Sequence, residues 1–115
     1  KLYKIFFFNI SPLHLAAKKD NLEIVNFLLS QPEIKIVKNT FKNCSKLTEI
    51  TVPSSFTSII PYAFFGCMSL KRVKIPPLVT EIGKSAFCEC SSIEVIEIPS
   101  KVTSIGESAF FPVHL

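Results

Sequence analysis

Residues 67–87 read CMSLKRVKIPPLVTEIGKSAF, and two neighbouring stretches repeat them. Residues 44–64 read CSKLTEITVPSSFTSIIPYAF, and residues 90–110 read CSSIEVIEIPSKVTSIGESAF. The offset is 23 residues throughout. Phe41, Phe64, Phe87 and Phe110 form one column; Cys44, Cys67 and Cys90 a second; Pro53, Pro76 and Pro99 a third. Thr57/Thr80/Thr103, Ile59/Ile82/Ile105 and Ala63/Ala86/Ala109 repeat in the same way, as do the apolar columns Leu47/Leu70/Ile93, Ile50/Val73/Ile96 and Val52/Ile75/Ile98. Self-similarity at a fixed period of this length implies stacked turns that share one core, a solenoid.

Elementary geometry lays out each turn. In Leu70-x-x-Val73-x-Ile75, residues 73 and 75 alternate with Lys74, so they share the inward face of a strand and Lys74 points outward. Pro76 ends the strand because it has no N–H for a ladder. Stacking sets these strands side by side in parallel. Val79 and Ile82 fall in the return stretch, and Ala86-Phe87 in a short helical turn on the opposite wall. Gly83 and Gly106 hold a column where the first unit has Ile60. A positive φ there would suit glycine and bar a β-branched residue, so the first unit should turn differently.

The units 41–63, 64–86 and 87–109, with partial units at both ends of 34–115, are similar to the leucine-rich repeats of BspA-like proteins of bacteria and anaerobic protists. That resemblance covers about residues 40–110. It implies a right-handed solenoid with a parallel β-sheet on the concave face. It also implies an interaction protein or surface-associated protein, in some cases one that adheres to host matrix or other cells.

The chain before residue 34 has a different pattern. Ser11 can cap a helix that begins at Pro12, where a missing N–H costs nothing. Asp20-Asn21 supplies a turn. Apolar residues at 24, 25, 28 and 29 make the stripe of a second helix, and Gln31-Pro32 stops it. The string SPLHLAAKKDNLEIVNFLLS, residues 11–30, closely resembles an ankyrin repeat, with Asp20 in place of that family's usual glycine. The resemblance implies a single helical hairpin over 11–33 and a structural role for His14. One such unit cannot bury its own apolar face, so it should cap the N-terminal end of the stack. The expected class is therefore an α+β repeat solenoid: an ankyrin-like hairpin, then leucine-rich repeats. Residues 1–10 stay undefined. They are basic and then apolar, but too short in their apolar part for a signal peptide. Without an initiator Met, the chain reads as a piece of a longer protein.

Composition narrows the function. Of 115 residues, 48% are apolar, which suits a folded domain and not a disordered one. The longest notable apolar run, Ile5-Phe6-Phe7-Phe8, is far short of the roughly 18 residues of a membrane span. The net charge is +4, with the signs interspersed except around Lys71-Arg72-Val73-Lys74, a mild excess and no nucleic-acid footprint. Neither a nucleophile–base pair nor a phosphate-binding glycine loop is present, so no enzyme is expected. Cys44, Cys67 and Cys90 share a column with parallel Cβ vectors, which suits small buried thiols better than disulfides. Cys88, in a variable column, should be partly exposed. Cys88-Glu89-Cys90 without partner histidines is a weak metal motif, and no metal or cofactor is expected.

The outward residues of the concave strands are Thr48, Glu49 and Thr51, then Lys71, Arg72 and Lys74, then Glu94, Val95 and Glu97. They form the candidate surface for a protein partner. Equivalent columns set Glu49 beside Arg72, Lys71 beside Glu94 and Lys74 beside Glu97, so the charges could serve stacking alone or recognition as well. Four such strands cover about 300 Å², against about 800 Å² per side in a stable interface. Binding should be weak or multivalent unless more repeats contribute. Free thiols and an ankyrin-like unit favour a cytoplasmic setting, with a cell-surface adhesin as the alternative.

Overall fold

The computed structural model describes residues 12–19, 21–31, 36 and 40–112. The expectations for residues 1–10, Ser11, Asp20, Pro32, Ile34 and 113–115, and for the side chains of Pro12 and His14, lie outside the described residues. Two helices come first, α1 (Pro12–Lys18) and α2 (Leu22–Leu29). Five short strands follow: β1 (Glu49–Thr51), β2 (Ser58–Ile59), β3 (Arg72–Lys74), β4 (Glu81–Ile82) and β5 (Ser104–Ile105).

The helices form where capping and stripe permit. Asn21 caps α2, its side-chain oxygen accepting from the Ile24 N–H at 3.1 Å. At the other end the Ser30 hydroxyl donates to the Phe27 carbonyl at 2.6 Å. Val25, Leu28 and Leu29 are buried and join one core with Leu13, Ala16 and Ala17 of α1 and with Ile50 and Val52 of the first coil. Ile24, expected in that stripe, is 47% exposed. The seat against α1 and β1 is narrower than the apolar arc of α2.

The repeat register carries the rest. β1 pairs with β3 in parallel, Ile50 beside Val73. A second parallel sheet, in the order β2-β4-β5, sets Ile59 beside Ile82 and Ile82 beside Ile105. Ile82 lies in the return stretch, as expected, and this second sheet is an addition to the expected concave one. The Thr column helps to hold it: the Thr80 hydroxyl donates to the Thr57 carbonyl at 3.2 Å, and that of Thr103 to the Thr80 carbonyl at 3.4 Å.

The third wall carries the short turn expected around Ala86-Phe87, and it does not close into an α-helix. Phe65 N–H donates to Tyr62 O and Cys67 N–H to Phe64 O, a spacing of three residues. The alternate N–H groups point along the stack. Those of Tyr62, Phe64 and Gly66 donate to Lys84, Ala86 and Cys88 carbonyls at 2.9, 2.8 and 2.8 Å, and Ser85, Phe87 and Glu89 donate to Glu107, Ala109 and Phe111. An α-helix would spend these donors within itself. Left-handed residues bracket each turn: Tyr62, Ser85 and Ser108 at φ 60°, 52° and 56°, and Asn43, Gly66 and Glu89 at 59°, 77° and 64°. Both sets are 23-residue columns.

That corrects the reading of Gly83 and Gly106, whose φ values are not positive. A Cβ on Gly83 would stand 2.5 Å from the Pro61 nitrogen, and one on Gly106 2.4 Å from the Lys84 nitrogen. These glycines let one coil approach the backbone of the coil before it.

Inside the walls the Phe column stacks. Phe41 and Phe64 have ring centroids 5.1 Å apart and planes 16° apart; Phe64 and Phe87 are at 5.2 Å and 8°, Phe87 and Phe110 at 5.5 Å and 4°. Phe65 instead sits half-buried at the surface against Tyr62 and under the Lys42 ammonium. Phe87→Ala should therefore cost about 3–5 kcal/mol and Phe65→Ala clearly less, read as denaturant midpoints; equal shifts would contradict the packing. Glu89→Gly should raise the midpoint, because left-handed strain of about 1–2 kcal/mol at Glu89 exceeds the roughly 0.5–1 kcal/mol of added chain entropy.

Candidate interaction face

Alternation along β1 and β3 decides what the face presents. Ile50 and Val73 point into the core, and Glu49, Thr51, Arg72 and Lys74 point out. Thr48, Lys71, Glu94, Val95 and Glu97 are exposed as well, so all nine expected positions are open to solvent. The register sets Glu49 beside Arg72 and Thr51 beside Lys74. Glu49 and Arg72 form an ion pair at 3.7 Å, with both side chains largely in water. Such a pair contributes little to stability.

Two expectations fail here. The third unit gives no strand on this face: residues 93–98 carry no assigned structure, and an opening of about 370 Å³ separates them from β3, lined by Arg72, Lys74, Val95 and Glu97. The main-chain ladder does not close across that opening. Consequently Lys71–Glu94 and Lys74–Glu97 do not pair, and the Glu49–Arg72 contact is the only ion pair among the described residues.

Beside β1 the face continues into a groove of about 710 Å³. Its far wall is the end of α2, with Asn26, Leu29, Ser30 and Gln31. This wall is not legible in the sequence, because only the docking of α2 on the first coil creates it. Periodicity within the repeats holds no sign of it.

The thiols lie behind the face. All four cysteines are buried and none forms a disulfide, and this includes Cys88, which was expected to be partly exposed. Its column faces the turn wall, where the Phe111 carbonyl accepts from the neighbouring Glu89 N–H and brings the last coil over it. The Cys67 thiol donates to the Phe41 carbonyl at 2.9 Å and the Cys90 thiol to the Phe64 carbonyl at 3.0 Å. The Cys column thus pins each coil to the one before. The neighbouring Cys44 thiol, then that of Cys90, then burial push the Cys67 thiol far up. Among the described residues no three His, Cys, Asp or Glu side chains gather as metal ligands. No helix among them is long and apolar enough to cross a membrane.

The family described as BspA type Leucine rich repeat region (6 copies) matches residues 17–115. This chain belongs to that family. The match begins inside α1 and runs through α2. Three solved structures are similar. A leucine rich repeat protein of T. pallidum is 32% identical over 70% of this chain and 38% of its own, with a TM-score of 0.65. One from Bacteroides ovatus is 36% identical over 61% of this chain and 18% of its own, TM-score 0.59. A leucine rich cell surface protein of Faecalibacterium prausnitzii is 40% identical over 61% and 18%, TM-score 0.58. The chain thus spans well under half the length of each. No curated protein matches it. Leucine-rich repeat proteins are generally interaction or surface modules, and none of these matches indicates a catalytic family.

Thiol chemistry gives a direct check on the Cys column. Cys67 should resist labelling in the native protein and react only on unfolding; rapid native labelling would contradict its burial. Its raised folded pKa also fixes a sign. Below the ordinary thiol value of 9.0 both states hold the proton. Above it the unfolded chain releases the Cys67 proton and the folded one does not, so the contribution of Cys67 to stability should fall as pH rises beyond 9.0.

Proposed function

We propose that this chain is a non-catalytic protein-interaction module that binds a protein partner through the outward residues of β1, β3 and the 94–97 segment. One observation carries the reading. Charges serving stacking alone should be neutralised by their neighbours across the coils. Here Lys71, Lys74, Glu94 and Glu97 stand exposed with no ion pair among the described residues. They are free to meet a partner's charges. The division into an ankyrin-like hairpin over 11–33 and leucine-rich coils over 34–115 is part of this proposal, with the hairpin as the cap of a right-handed solenoid whose concave side is the binding face.

The described strands of this face are three residues each. Two such strands give roughly 100 Å², far below the ~800 Å² per side of a stable complex. A partner must therefore also use the groove beside α2, or bind weakly and repeatedly. A second reading, a cell-surface adhesin for host matrix or other cells, draws on the cell-surface description of the F. prausnitzii protein. The comparisons lend no such support to a cytoplasmic setting, and buried thiols fit either.

Two variants separate recognition from stacking. Glu49→Arg with Arg72→Glu keeps the pair reversed and should keep stability within about 0.5 kcal/mol. Lys71→Glu with Lys74→Glu should also fold. Each should lose capture of a photo-crosslinked partner at Thr51, or attachment to immobilised matrix protein and intact cells if the adhesin reading holds. Stable variants that bind like the parent would rule out this face.

A further inference from the structure

The repeat does not stop at the first full unit. Counting back 23 residues from Leu47, Ile50 and Val52 lands on Ile24, Phe27 and Leu29, the same apolar spacing as in the coils. The register is already obeyed just beyond α2. Ile36, one period before Ile59, is buried and lines a small cavity with Ile59 and Phe64. Thr40, one period before Ala63, is buried at the foot of the Phe column. The family match also covers this stretch. Yet residues 22–29 are helical, so α2 sits where the register calls for an inner strand on β1.

The helix leaves two of these three residues unused. Phe27 is 64% and Ile24 47% exposed, whereas Val25, Leu28 and Leu29 are buried. A strand in the register of β1 and β3 would reverse this: Ile24, Phe27 and Leu29 inward, Val25 and Leu28 outward. The seat is open. The Arg72 N–H points back to the Thr48 carbonyl, so the equivalent N–H of Glu49 faces α2, across the groove already described.

We propose that residues 24–29 carry two codes, one for α2 and one for a parallel strand on the open edge of β1, and that the segment can leave the helix to extend this sheet. Packing against Leu13 and Ala17 of α1 holds the helical state. The strand state lengthens the outward face by one coil and places Asn26 beside Glu49 and Leu28 beside Thr51.

Proline distinguishes the two states. At position 26 it breaks α2, but in the strand its missing N–H would point away from β1, so no ladder bond is lost. The chain has no Trp, so Phe27→Trp is a single reporter. Alone, F27W should emit as an exposed indole and quench freely with acrylamide. Combined with Asn26→Pro, the emission should shift to the blue and quenching fall several-fold, while Cys67 stays protected from labelling. An indole still exposed in the double variant, or a stack in which Cys67 labels rapidly, overturns the proposal.

Discussion

The stacking of phenylalanine on phenylalanine through Phe41, Phe64, Phe87 and Phe110 is the constraint on which the other contacts depend. Ring centroids 5.1–5.5 Å apart are close to the ~4.8 Å separation of paired strands. The rings and the backbone ladders therefore climb at the same rate. Each contact adds about 0.5–1.5 kcal/mol beyond the area it buries. More important is what the shared rise permits. When the rings fit, the N–H groups of Phe64 and Phe87 reach the Ala86 and Ala109 carbonyls, the Cys67 and Cys90 thiols reach Phe41 and Phe64, and Ile59, Ile82 and Ile105 align in one sheet.

Close approach explains the small residues. Ala63, Ala86 and Ala109 are buried at the turn wall, and Gly83 and Gly106 admit the backbone of the preceding coil. The repeated left-handed residues follow from the same demand. They reverse the chain at both ends of each turn so that its alternate N–H groups run along the stack. Glycine occupies this conformation at Gly66, while Tyr62, Ser85, Ser108 and Glu89 hold it under the pull of the inter-coil bonds.

Much of this was legible in the sequence. The Phe, Cys and apolar columns gave the register that the β1–β3 pairing reproduces, and the outward set came out exposed. What escaped reading has physical causes. Backbone hydrogen bonds between turns leave no mark on side-chain periodicity, so the second sheet and the turn ladder stayed hidden. Positive φ at Tyr62 or Glu89 is invisible when the residue is not glycine. Equivalent columns predicted three charge pairs, yet one forms among the described residues, because the third unit lays no strand beside β3. The groove beside β1 comes from α2, whose two overlapping patterns within 24–29 cannot be ranked by periodicity alone.

Native-state hydrogen exchange tests the central claim, that the 23-residue register locks coil to coil through the turn wall. The account predicts that the amides of Phe64, Gly66, Phe87 and Glu89 exchange as slowly as those of Ile82 and Gly83 in the second sheet, and in one cooperative step with them. Fast exchange at Phe64 and Phe87, beside protected sheet amides, would contradict it.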